Sequence, residues 1–252
     1  MTRIIEENTI ANGRGRLCDD VSGYGKNIFF VLDGATPLFD DNVFSKTSDV
    51  YDFINELRNT LVEQITIDSN ASLTDILRFA IKNADIRLSV PASMLECEGP
   101  NYTVAMIRIN DDDIDYYVCA DSSIFIEANQ SLKVITDKRF TPFEAENTRR
   151  IALLEDNDQK EALKKEIYRE TRHKANQPGG YLVTSVNPQS AENGLVGKIS
   201  KTGVRKILLC TDGFTKKDYP YRNLDLDHVL EHKKLSISVP QHDDITYMLI
   251  EL

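Results

Sequence analysis

Asn27-Ile28-Phe29-Phe30-Val31-Leu32-Asp33-Gly34 is a nearly continuous apolar run that breaks on aspartate and glycine. Its length and content predict a strand buried on both faces. The same texture recurs along the chain. Ile207-Leu208-Leu209-Cys210 runs into Thr211-Asp212-Gly213, and Tyr117-Val118-Cys119-Ala120 runs into Asp121-Ser122. Asp243-Asp244 leads into a last strand, Ile245 to Leu252, and the acidic pair Asp19-Asp20 precedes the first run. A buried strand that ends on a carboxylate sets that charge at the rim of a sheet. Several such charges on one rim repel each other unless a cation compensates them. Hard oxygen ligands of this kind suit magnesium or manganese. Any one Asp-Gly reads most simply as a turn; the whole set, each bordering a core strand, reads as a metal site.

Outward from these strands, two amphipathic helices are expected. Val43, Val50, Ile54, Leu57, Leu61 and Ile65 recur at helical steps, as do Leu73, Ile76, Leu77, Ala80, Ile81, Ala84 and Leu88. Ser72 with Asp75 gives the second a capping-box start. Thr103–Ile109, Ile114–Cys119, Ile124–Glu127 and Leu132–Thr136 read as consecutive short strands. The acidic Asn110-Asp111-Asp112-Asp113 between the first two lacks the glycine and the terminal glutamate of a calcium loop and reads as a hairpin turn. Pro142 to about His173 is highly charged and helical in propensity, with Ile151, Leu154, Leu163 and Ile167 as a thin apolar side, closed by Pro178-Gly179-Gly180. Strands return at Tyr181–Thr184 and Val204–Cys210, and a short helix is expected over Leu224–Leu230. No internal repeat or linker divides the chain. It reads as one α+β domain, residues 1–252, mostly antiparallel strands with a helical pair inserted early.

With 252 residues, 41% hydrophobic and 28% charged, the chain is that of an ordinary globular protein. A net charge of −10 disfavours binding to nucleic acid or to anionic lipid, because no excess of cations is present to displace counterions. No stretch approaches the ~20 apolar residues of a membrane span. Residues 1–10 lack the apolar core of a signal peptide. Cys18, Cys97, Cys119 and Cys210 show no paired spacing, so a reduced, cytoplasmic protein is expected.

Taken in order, these residues resemble the metal-dependent serine/threonine protein phosphatases of type 2C. Asp19-Asp20 stands where that family has its early acidic pair, and Phe30-Val31-Leu32-Asp33-Gly34 matches its Asp-Gly strand. Tyr102-Thr103-Val104-Ala105 fits the small-residue strand after the two helices. Cys119-Ala120-Asp121-Ser122 is similar to its Gly-Asp-Ser, Leu208 to Phe214 to its Ser-Asp-Gly strand, and Asp243-Asp244-Ile245-Thr246 to its closing Asp-Asn-Ile-Thr. The resemblance implies a four-layer α-β-β-α sandwich, with two antiparallel sheets flanked by helices and two manganese or magnesium ions at one end. It implies that Asp33 bridges both metals and that the Gly34 carbonyl ligates the second. Asp212 and Asp243 would hold the first metal; Asp19 would reach the second, with Asp20 in support. Asp121 with Asp212 would form a third, weaker metal site. Two such cations activate a water and neutralise the phosphoryl oxygens during in-line attack, so no serine or cysteine nucleophile is needed. The implied reaction is hydrolysis of phosphoserine and phosphothreonine in a protein substrate.

The sequence also departs from the pattern. Ala35-Thr36 replaces the histidine that often follows Asp-Gly, a candidate general acid, and Ser123 replaces the arginine that often follows Asp-Ser. The family's N-terminal phosphate-binding arginine corresponds to Arg14 or Arg16. Residues 138–180 correspond to its variable flap. The missing histidine and arginine motivate an alternative, a non-catalytic member of the fold that binds a phosphoprotein or regulatory partner. Retention of Asp33, Asp212 and Asp243 argues for catalysis, since uncompensated charges at one rim are costly to keep. Two other chemistries fit the sequence less well. His228-Val229-Leu230-Glu231-His232 matches an inverted zinc-peptidase motif, but little chain remains to supply the further ligand. A haloacid-dehalogenase-type site needs a second aspartate where Ala35 stands.

Overall fold

The computed structural model describes residues 2–11, 17–38, 42–94, 97–129, 131–156, 158–215, 226–236 (side chains to 231) and 243–252. In chain order the elements are β1 (Arg3–Ile10), β2 (Asp20–Gly25), β3 (Ile28–Gly34), α1 (Asp49–Ile67), α2 (Leu73–Leu88), β4 (Asn101–Ile109), β5 (Asp113–Cys119), β6 (Ser123–Ala128) and β7 (Ser131–Thr136). They continue with α3 (Thr141–Ala152), α4 (Lys160–Arg172), β8 (Thr184–Ser185), β9 (Leu195–Ser200), β10 (Val204–Cys210), the single turn α5 (Asp212–Thr215), α6 (Leu226–Ser236) and β11 (Ile245–Glu251). One sheet runs β1-β11-β10-β6-β7, the other β2-β3-β4-β5-β9, with β8 added beside β4. The named strands pair antiparallel throughout.

The apolar runs that open the sequence reading are inner strands of four layers. In β3, Phe29 and Val31 face the other sheet, while Ile28, Phe30 and Leu32 face α1 and α2. In β10, Ile207 and Leu209 enter the layer between the sheets, while Leu208 and Cys210 pack with Leu226, Val229 and Leu230 of α6. Side chains alternate across a strand, so a strand covered on both sides needs apolar residues at every position. The order is therefore helix pair, sheet, sheet, helix, as the sandwich reading requires.

Local chemistry sets the helix ends. The Ser48 hydroxyl accepts the Tyr51 N–H at 3.3 Å and starts α1. Val43, expected in that helix, lies outside it and is exposed. The Asp49 carboxylate instead collects the N–H groups of Val43, Phe44 and Ser45, which holds this segment as a turn. At α2 the Ser72 hydroxyl accepts the Asp75 N–H at 3.0 Å and donates to its carboxylate at 2.6 Å, a variant of the expected box. The acidic hairpin turn is as expected, closed by Asn110 N–H to the Asp113 carbonyl at 2.9 Å.

Two expectations change, and two strands were not expected. The strand expected over Tyr181–Thr184 shrinks to Thr184–Ser185, because Tyr181 turns to a single bridge with Ala175. The helix expected over Leu224–Leu230 is α6, and residues 224 and 225 lie outside the described set. Strands β1 and β9 had no apolar signal: both lie at sheet edges and expose much of their surface.

Candidate metal centre

The sandwich brings the strand-end aspartates to one rim. Asp33 is next to last in β3 and faces Asp20 across one ladder and Thr103 across the other. Asp121 follows β5 in a turn where Ala120 takes φ +59° and its N–H is held by the Asp137 carboxylate at 3.2 Å. Asp212 opens α5 directly after β10. One ligand oxygen from each of Asp33, Asp121 and Asp212 lies within 4.8 Å of the others. Three hard anionic donors at that spacing are suited to a divalent cation.

Surrounding bonds fix the spacing. Asp20 is buried, and its carboxylate accepts the Thr211 hydroxyl at 2.7 Å. Thr211 in turn exchanges bonds with Thr246: its N–H donates to the Thr246 carbonyl and its hydroxyl accepts the Thr246 N–H, both at 3.0 Å. This knot ties the rim ends of β10 and β11 to β2 of the other sheet. The Asp19 carbonyl accepts the Gly34 N–H at 3.0 Å, and the Asp19 N–H donates to the Asp244 carboxylate at 3.0 Å. Asp243 stands beside it, accepting the Asp244 N–H at 3.0 Å. Close approach explains both glycines. A Cβ on Gly34 would meet Val50 Cγ1 at 2.6 Å and the Asp19 carbonyl oxygen at 2.9 Å. One on Gly213 would meet the Asp244 carbonyl oxygen at 1.9 Å.

The electrostatics follow from this crowding. Burial pushes the Asp33 carboxyl well above the usual range, and the charges of Asp20, Asp212, Asp121 and Asp243 push the same way. Burial likewise raises Asp20, assisted by Asp244 and Asp212 and opposed by the Thr211 hydroxyl. These are the marks of carboxylates gathered without a countercharge. Cys18, beside Asp20 and Asp244, is pushed up to about 12, chiefly by burial, and is a thiol at neutral pH. That makes it a poor nucleophile.

Of the residues expected here, Asp33, Asp121 and Asp212 meet directly. Asp20 and Asp243 lie close enough for their charges to act on Asp33. Asp19 and Gly34 join through their backbone. Arg14 and Arg16 lie outside the described residues. Ser123 is buried in β6. In the segment after Gly34, the Ala35 N–H donates to the Asn101 carbonyl at 2.9 Å. Arg169 Nε donates to the Leu38 carbonyl at 2.8 Å, and Arg172 to that of Thr36 at 3.3 Å. Thr211 and the α4 arginines carried no sequence signal: the first sits inside a motif, the others in a helix that reads only as charged. His228 and Glu231 of the peptidase-like motif are exposed on α6, on the side of the helix away from Val229 and Leu230, and the His232 side chain lies outside the described residues.

The fold is that of the bacterial type 2C serine/threonine phosphatases. The chain superposes on Staphylococcus aureus serine/threonine phosphatase Stp1 with a TM-score of 0.64 at 13% identity, covering 100% of this chain and 95% of that one. For the S. agalactiae serine/threonine phosphatase the values are 0.63 and 14%, covering 100% of both chains. The catalytic domain of the serine/threonine protein phosphatase PstP, solved in complex with 2 manganese ions, gives 0.62 at 12%, covering 99% of this chain and 97% of that one. No protein-family model and no curated protein matches the sequence.

Proposed function

We propose that the chain is a divalent-metal-dependent phosphatase that hydrolyses phosphoserine and phosphothreonine in proteins. The observation that carries this reading is the convergence of Asp33, Asp121 and Asp212 within 4.8 Å, on a fold shared with phosphatases of which one holds manganese. The donor set fits the group. It is all carboxylate, crowded enough to raise Asp33 and Asp20, and backed by a glycine whose missing Cβ lets the Asp19 backbone approach Gly34.

In this reading Asp33 and the Gly34 carbonyl, with Asp212, Asp243 and Asp19, would hold two manganese or magnesium ions. Asp121 with Asp212 would hold a third, and Asp20 braces the rim through Thr211. Ions held there would supply an activated water and charge neutralisation for the phosphoryl oxygens. The chain's own part is to fix the carboxylates before substrate arrives. The Thr211–Thr246–Asp20 knot and the Asp19–Asp244 bond do so by joining both sheets at the rim. Residues 138–180 form a flap beside the site within a single catalytic unit, residues 1–252.

The test is hydrolysis of an aryl phosphate and of a phosphothreonine peptide, with manganese and then with chelator. Turnover of both that disappears with chelator and returns with manganese supports the reading. Manganese binding without any turnover would instead favour the non-catalytic phosphoprotein binder.

A further inference from the structure

Helices α2 and α4 both end at a cavity of about 640 Å³, walled further by the α2–β4 connection and by residues 186–188. That volume is in the range of small-molecule sites. We propose that this cavity binds a small organic ammonium, a protonated amine on an apolar body, with the Asp85 carboxylate as its anchor. The inference does not depend on the phosphatase reading, since no rim aspartate lines the cavity.

Asp85 stands in the last turn of α2 and lines the cavity half-buried. Its carboxylate makes no hydrogen bond or ion pair among the described residues. Cations nearby in the fold are engaged elsewhere. Arg87 pairs with Glu56 at 2.9 Å and with Glu63 at 2.5 Å, both on α1. Lys174 lies over the Phe143 ring, 5.8 Å from its centre, and Arg172 bonds the Thr36 carbonyl and the Tyr181 hydroxyl. Burial pushes the Asp85 carboxyl above its ordinary range, as befits an anion short of a countercharge. The backbone adds the same sign of charge. His173, the C-cap of α4, lines the cavity together with Asp85 and Val90 from the end of α2. A helix C-terminus carries partial negative charge and favours a cation beside its last turn.

The rest of the wall sets the body of the ligand. Val90, Pro91, Met94, Val186 and Pro188 line it. Gly99 backs this side: a Cβ there would meet Met94 Sδ at 2.7 Å, so the thioether keeps its place only against glycine. A methionine sulfur so placed suits the edge of an aromatic ring. An anion would face Asp85 and two helix C-termini. A bare metal ion fits poorly, because among the described residues the one cluster of three ligands at metal spacing is the rim. The competing role is a solvent-filled gap left where α4 meets the core.

Calorimetric titration of the full chain with tryptamine, its neutral isostere tryptophol and the anion indole-3-acetate separates the two. Tryptamine is expected to bind with a Kd of about 1 mM or tighter, the range for a ligand of its size. Tryptophol should bind at least about 10-fold more weakly, and indole-3-acetate more weakly still, because each lacks the charge-assisted bond to Asp85. Asp85→Asn should weaken tryptamine by about 10-fold or more and remove its preference over tryptophol. Asp111→Asn, in the exposed hairpin turn, and Asp33→Asn, at the rim, should leave tryptamine affinity within about two-fold of wild type. If Asp85→Asn does not fold, the comparison of tryptamine with tryptophol on the wild type decides alone. No saturation by about 10 mM tryptamine, equal affinity for tryptophol, or indifference to Asp85→Asn overturns the proposal. A loss with Asp33→Asn as large as with Asp85→Asn also overturns it, since the amine would then sit at the rim.

Discussion

Asp33 meets Asp121 and Asp212 at the rim and feels the charges of Asp20 and Asp243 as well. Asp33→Asn keeps the shape and removes the charge. Turnover is expected to fall by about 10²-fold or more, because metal-borne stabilisation of the reaction is worth several kcal/mol. The last acidic pair offers a sharper comparison. Asp244 accepts the Asp19 N–H at 3.0 Å, a bond that asparagine can keep, whereas Asp243 acts on Asp33 by charge. Asp243→Asn should therefore cost far more turnover than Asp244→Asn; the reverse order would mean that the two roles are exchanged. At this scale the sequence shows which aspartates end core strands, and the rim gathers them. It does not show Thr211 clasping Asp20 or Arg172 reaching Thr36, because each bond joins residues distant in the chain.

Among the elements, continuous apolar runs proved the most legible feature, since a strand between two covered faces has no polar side to show. Strands β3, β10 and β11 follow that rule, and α1 and α2 show their buried stripes at helical spacing. Edge strands β1 and β9 carry charges or exposed residues and were illegible for the same reason. In α4 the expected apolar side reduces to Ile167, with Leu163 exposed. This contrast predicts stabilities. Leu57→Ala, in the fully buried face of α1, should cost about 2–5 kcal/mol in denaturant unfolding. Leu163→Ala should stay within about 0.5 kcal/mol. Equal losses at the two sites would contradict the layer assignment.

For the molecule as a whole, the crowded rim implies a metal-free protein at odds with its own charge. Asp33 and Asp20 are raised above the ordinary carboxylate range, chiefly by burial. The folded state then holds protons that the unfolded state releases near pH ~4, so stability falls as pH rises from there through the raised values. The melting temperature of stripped protein should therefore decrease from about pH 5 to about pH 7.5. Asp20→Asn, which can still accept the Thr211 hydroxyl, should melt higher at neutral pH and show a shallower slope. A slope unchanged by that substitution would place the titration elsewhere, in the general net charge of −10.

The central claim is that these carboxylates form a centre for divalent cations, and calorimetric titration of stripped protein with manganese tests it most directly. The account predicts at least two manganese ions bound per chain, and a loss of about ten-fold or more in affinity for Asp33→Asn, equivalent to about 1.4 kcal/mol. Absence of manganese binding by the wild type, or an Asp33→Asn isotherm that overlays it, would contradict the account.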